Sequence, residues 1–119
     1  MKLLFVYNAN AGKLNGMLDS LHKIVSPSTY ACNLCAITYG VFSEDEVWKK
    51  FREDSEMPME FLHKDEFLKQ YHLKNPSQYQ LPLILTEENG DLEVLVSSEA
   101  MNKLKMASEL IQKLKEVTV

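Results

Sequence analysis

Cys32 and Cys35 are the only two cysteines of the chain, separated by Asn33 and Leu34. Thiols at i and i+3 can close a small disulfide ring, share a metal ion, or pack as small apolar groups. As a redox pair, Cys32 is the attacking thiolate. The first cysteine of such a turn meets free backbone amides and the dipole of a following helix, both of which favour its charged form. Cys35 then resolves the mixed disulfide. As a zinc half-site, the same pair needs two more ligands to complete a tetrahedron. No second Cys-x-x-Cys exists, and the histidines are His22, His63 and His72. The best metal set is therefore Cys32, Cys35, His22 and His63. As inert packing, the two thiols do no chemistry.

Other reactive side chains are weighed in the same way. His22 lies one position past an apolar helical face, where a histidine is favoured by the helix C-terminal dipole and faces water. His63 ends a strand and precedes Lys64, Asp65 and Glu66. It either faces the pole of the sheet, where open α/β folds bind ligands, or is a solvated strand end. Asn10 to Lys13 resembles a phosphate loop, but that pattern fails at its first glycine and at its final hydroxyl, since Leu14 follows Lys13. Tyr30 and Tyr39 flank the cysteines and offer hydroxyls, a stacking face or simple packing. The acids at 44–46 and at Glu53 and Asp54 read as solvated helix ends. No Ser-His-Asp order, paired-carboxylate motif or dinucleotide fingerprint is present.

These residues must be held by an alternating set of strands and helices. Residues 2–7 form a continuous apolar run, the pattern of a strand covered on both faces. From Lys13, the positions Leu14, Met17, Leu18, Leu21, Ile24 and Val25 describe one helical face, which must end before Pro27. Residues 26–42 have no sustained period and read as an irregular loop carrying the cysteines, the kind of segment where sites gather. Ser43 and Glu46 form a capping box that opens a helix burying Val47, Trp48 and Phe51 and ending near Asp54. A short strand follows over 57–63, with Pro58 at its start, then a helix over 64–71 facing inward through Phe67, Leu68 and Tyr71. Residues 74–77 make a turn. Strands over 81–86 and 92–96 are joined at Asn89-Gly90, the dipeptide most favoured in tight hairpins. A terminal amphipathic helix buries Leu104, Ala107, Leu110, Ile111, Leu114 and Val117, with a break expected near Ser108 as N-cap.

Composition sets the outer bounds. With 119 residues and 13.7 kDa, the expectation is one domain with one hydrophobic core. Hydrophobic residues make up 45% and charged residues 25%, which argues against disorder. The net charge of −4 is spread along the chain without a basic cluster, so neither nucleic acid nor a membrane surface is an expected partner. The apolar start breaks at Asn8, too early for a signal-peptide core or a spanning helix. The expected location is the cytoplasm, where two cysteines rest as thiols unless metallated or catalytically cycled.

The element order implies an α/β protein, a central mixed sheet of four or five strands with helices on both faces. A parallel β-α-β crossover, then an antiparallel hairpin and a packed terminal helix, resembles the thioredoxin superfamily. The likeness is carried by Gln80-Leu81-Pro82-Leu83-Ile84-Leu85, similar to the strand which that family opens with a cis-proline, and by the Glu88-Asn89-Gly90-Asp91 turn, the second strand and the last helix. It implies a cis Pro82 lining a substrate groove opposite the cysteines, with a protein or small-molecule thiol as partner and no cofactor. In thioredoxins, however, the Cys-x-x-Cys directly follows a strand and opens a helix, usually after an aromatic residue. Here the first strand runs into Asn8 to Gly12, without a cysteine. Two mappings stay open: Ser26 to Ala31 is a further strand that restores the layout, or the motif sits in an inserted loop. The stretch Ser26-Pro27-x-Thr29-Tyr30-x-Cys32-Asn33-Leu34-Cys35 also resembles a motif of small bacterial proteins to which no activity attaches. The rival reading is a non-enzymatic zinc-binding or protein-interaction module using the cysteine segment.

Overall fold

The computed structural model describes residues 1–8, 32–39, 44–71 and 79–117. The helix expected from Lys13, the segment 26–31 that one of the two mappings makes a strand, the turn expected at 74–77, and His22, Tyr30 and His72 lie outside the described residues.

Alternating burial organises the first strand, β1 (Lys2–Val6). Leu3, Phe5 and the following Tyr7 enter one core, while Leu4 and Val6 enter another. Both faces of β1 are therefore covered, as its unbroken apolar run predicts. Beside it lie β2 (Met59–Leu62), parallel to β1, and β3 (Leu83–Glu88), antiparallel to β1. The edge strand β4 (Asp91–Val96) pairs antiparallel with β3, so the sheet runs β2-β1-β3-β4. The β3–β4 turn uses Asn89 at φ 55° and Gly90 at φ 86°. Two consecutive positive φ values are what an Asn-Gly hairpin turn requires, and the predicted hairpin is present. Ile84 pairs with Val96 but Leu85 with Val94, so Leu95 is an extra residue in a bulge. Leu95 and Val96 consequently both pack on the first core.

Helices cover the two faces unequally. The first core gathers α1 (Asn33–Thr38), α2 (Glu46–Asp54), α4 (Ser98–Met101) and α5 (Ala107–Val117) through Leu34, Trp48, Met101, Leu110 and Leu114. The second rests on α3 (Lys64–Gln70) through Phe67. On that side Lys2 pairs with Glu60 at 2.8 Å, Gln70 donates to Glu60 at 3.0 Å, and the Tyr71 hydroxyl donates to Glu87. This network ties three strands to the end of α3. The expected mixed α/β architecture with helices on both faces is thus observed.

Several local expectations need correction. Asp45, not Ser43, caps α2, its carboxylate accepting the Trp48 N–H at 3.0 Å. Val47 is 57% exposed, because turning Trp48 fully into the core rotates its neighbour outward. The segment read as an irregular loop contains the six-residue helix α1. The C-terminal break falls at 102–106 rather than near Ser108, which lies inside α5, and Ser97 caps the separate α4 by accepting the Ala100 N–H at 3.1 Å.

Candidate functional site

The site begins where β1 ends. Two residues beyond Val6, the Asn8 N–H points at the Cys32 sulfur, 3.4 Å away. Cys32 is the N-cap of α1, and the same sulfur accepts the Cys35 N–H at 3.3 Å. Cys32 and Cys35 are joined as a disulfide, with Cα atoms 5.3 Å apart, within the 4.4–6.8 Å that such a bond usually spans. One sulfur thus carries two backbone donors as well as its covalent partner. Donors of this kind bind a thiolate more strongly than a neutral thiol. Contrary to the expectation for an attacking cysteine, Cys32 is the more buried of the two, at 1% exposure against 7% for Cys35. The reason is its position at the start of α1, against the end of β1.

Neighbouring residues form a shell that composition and spacing did not reveal. Asn33, between the cysteines, donates through Nδ2 to the carbonyls of Met101 at 2.6 Å and Leu104 at 2.8 Å. Thr38 is fully buried and donates its hydroxyl to the Leu34 carbonyl at 2.6 Å. Tyr7, one residue before the Asn8 donor, has its phenol beside the Thr38 hydroxyl, which acts to lower its pKa against the stronger effects that raise it. Burial above all, then the charges of Tyr39 and Glu44, push the Tyr7 phenol well above its ordinary value. Tyr39 closes α1 and stands edge-on to Tyr7, ring centroids 6.4 Å apart. A two-residue bridge pairs Tyr39 with Glu44, whose carboxylate takes both Nε and Nη2 of Arg52, at 3.0 and 2.8 Å. Of this shell the sequence singled out Tyr39, an aromatic residue flanking the cysteines, while Asn8, directly after a buried strand, and Asn33, a polar residue inside the motif, carried a fainter signal.

The remaining predicted site residues fall as follows. Pro82 is buried, its peptide bond with Leu81 is cis as the resemblance implied, and it immediately precedes β3. Because Val6 pairs with Leu83, Pro82 lies at the end of β1 from which Asn8 reaches Cys32. His63 does stand at the end of β2, its ring 5.4 Å from that of Tyr7. It is engaged in capping α3, where Glu66 accepts its backbone N–H at 2.8 Å and lies 2.8 Å from Nδ1. The His63 backbone N–H above all, and then the His63 ring, hold the Glu66 carboxyl below its ordinary range, against the opposing charge of Asp65. Of the proposed zinc set, His22 lies outside the described residues, and the three described members do not converge. Its two cysteines are bonded to each other, His63 is committed to Glu66, and among the described residues no group of three or more His, Cys, Asp or Glu converges on a metal position. Among the described residues, no helix is long and apolar enough to cross a membrane. Compared with family profiles, curated proteins and solved structures, the chain finds no match.

Proposed function

We propose that this chain is a thioredoxin-like thiol–disulfide exchange protein, with Cys32 and Cys35 as the reacting pair. One observation carries the reading: the Cys32 sulfur lies in bonding reach of Cys35 while two backbone N–H groups, from Asn8 and Cys35, are aimed at it. That arrangement stabilises negative charge on one sulfur and keeps the second at hand to resolve it. The strand order β2-β1-β3-β4, with β1 and β2 parallel and a closing antiparallel hairpin, supports the thioredoxin-like assignment. Pro82 takes the groove-flanking role that the resemblance gives it.

The exchange runs in two displacements. The Cys32 thiolate attacks one sulfur of a partner disulfide, forming a mixed disulfide and releasing the other partner sulfur as a thiolate, which takes up a proton. Cys35, losing its proton, then attacks the Cys32 sulfur and expels the second partner thiolate. The partner gains two electrons and the protein is left with the Cys32–Cys35 disulfide, the form described above. Run in reverse, the same steps pass the disulfide to a partner dithiol. We assign the protein to the cytoplasm, where glutathione keeps the dithiol as the resting form. The partner is a protein or small-molecule thiol.

The burial of both cysteines favours a second reading, an inert bridge that only staples the start of α1. Titration of the native protein with dithiothreitol separates the two. Exchange predicts reversible reduction without unfolding and, in the dithiol form, a Cys32 that alkylates well below pH 8.5, the range of an ordinary thiol. It also predicts that Cys35→Ser traps a mixed disulfide with oxidised glutathione while Cys32→Ser does not. Reduction only after denaturation would identify the inert bridge.

A further inference from the structure

Asn33 makes a connection that neither disulfide formation nor simple burial demands. Met101 ends α4 and Leu104 lies in the link to α5, 68 and 71 residues further along the chain. Both protons of the Asn33 amide are therefore spent on the α4–α5 connection, and the two carbonyls there gain side-chain donors. Asn33 is also the first helical residue of α1, directly after Cys32. At six residues, α1 is about half the length at which an isolated helix begins to hold itself in water. Its first turn must be held by tertiary contacts, and Asn33 supplies the only side-chain hydrogen bonds to another helix found on that turn among the described residues.

Resting on the exchange reading above, we propose that Asn33 is the positioning residue of the thiol pair. By clasping the α4–α5 connection, it holds the first turn of α1 so that the N–H groups of Cys35 and Asn8 stay aimed at the Cys32 sulfur once the disulfide opens. In the oxidised form the covalent bond itself keeps the sulfurs together. In the dithiol form that restraint is gone, and the first turn is free to fray unless something else holds it. The sulfur that must carry charge is then the one that depends on the clasp. Leu34 and Thr38, buried one and five residues further on, keep α1 docked when the clasp is removed, so the loss is confined to the turn bearing Cys32.

Asn33→Leu keeps the approximate side-chain size and removes both donors. The dithiol forms of the wild type and the variant are alkylated with iodoacetamide across a pH series, and each cysteine is quantified by mass spectrometry. The expected result is a Cys32 profile displaced to higher pH in the variant, with labelling near pH 6 slowed about tenfold, the consequence of roughly one unit in the thiol pKa. The Cys35 profile should not move. If Asn33 serves stability alone, the loosened variant will label faster at both cysteines with no displacement of the profile, and the proposal falls. A wild-type Cys32 that titrates like an ordinary thiol defeats the exchange reading and this inference together, whereas a depressed value shared by wild type and variant defeats the inference alone. Should the variant fail to fold, the wild-type dithiol decides by nuclear magnetic resonance. Slowed exchange of the Asn33 side-chain amide protons supports the clasp, and exchange at the free rate overturns it.

Discussion

At the scale of single residues, Tyr7 shows how the candidate site is fastened to the core. Its ring lies in the first core beside Phe61 and His63, and its hydroxyl meets Thr38, which in turn bonds the Leu34 carbonyl inside α1. A phenol so placed resists ionisation. An unfolded tyrosine loses its proton near pH 10, while Tyr7 in the folded chain keeps it to higher pH, so its contribution is intact below about 10 and is lost as pH rises further. Tyr71, pushed up to about 12 by burial and by its bond to Glu87, acts in the same direction. The urea midpoint should therefore fall as pH is raised above about 10, and Tyr7→Phe should flatten part of that fall. Equal slopes for wild type and variant would show that the Tyr7 hydroxyl is not shielded. The apolar character of this position could be read in the sequence as the end of a buried run. Its polar partner could not, because Thr38 is brought to it only by folding.

At the scale of elements, two local devices can be tested separately. Asp45→Ala removes the carboxylate that accepts the Trp48 N–H at the start of α2 and should cost about 1 kcal/mol in chemical denaturation. Ser43→Ala should cost much less, since Ser43 is not the N-cap. Comparable losses for the two variants would restore the start of the helix read from the sequence. The capping-box pattern was present at Ser43 and Glu46, but a side chain at 45 can also reach an amide three residues on. Trp48 decides between them. Its burial against Phe5 and Phe61 fixes the phase of the helix. In the hairpin, Gly90→Ala should cost about 1 kcal/mol. An added Cβ would meet nothing within 4 Å, so any loss measures the positive φ and not crowding.

At the scale of the whole molecule, opening the disulfide should leave the fold in place. The ring it closes spans a separation of three residues, and so short a loop restricts the unfolded chain by only about 2 kcal/mol. A domain of this size is ordinarily stable by about 5–15 kcal/mol. The far-ultraviolet circular dichroism of the reduced protein should match that of the oxidised protein, with a modest drop in melting temperature. Collapse on reduction would mean that the bridge, not the two cores, holds the sheet together. What the sequence by itself determined was whatever is encoded by neighbours along the chain. The two-sided burial of β1 follows from its unbroken apolar run, the hairpin from Asn89-Gly90, the inner face of α5 from its helical period, and the pair of thiols from their spacing. Tertiary structure decided the rest. The helix around Cys35 is too short for periodicity to announce, and the relative burial of the two cysteines depends on where β1 ends. The donors on the Cys32 sulfur come partly from Asn8, 24 residues away, and the clasp on α1 joins Asn33 to carbonyls near the far end of the chain. Backbone amides and carbonyls are common to every residue type, so a site assembled from them leaves almost no trace in sequence until the fold brings them together.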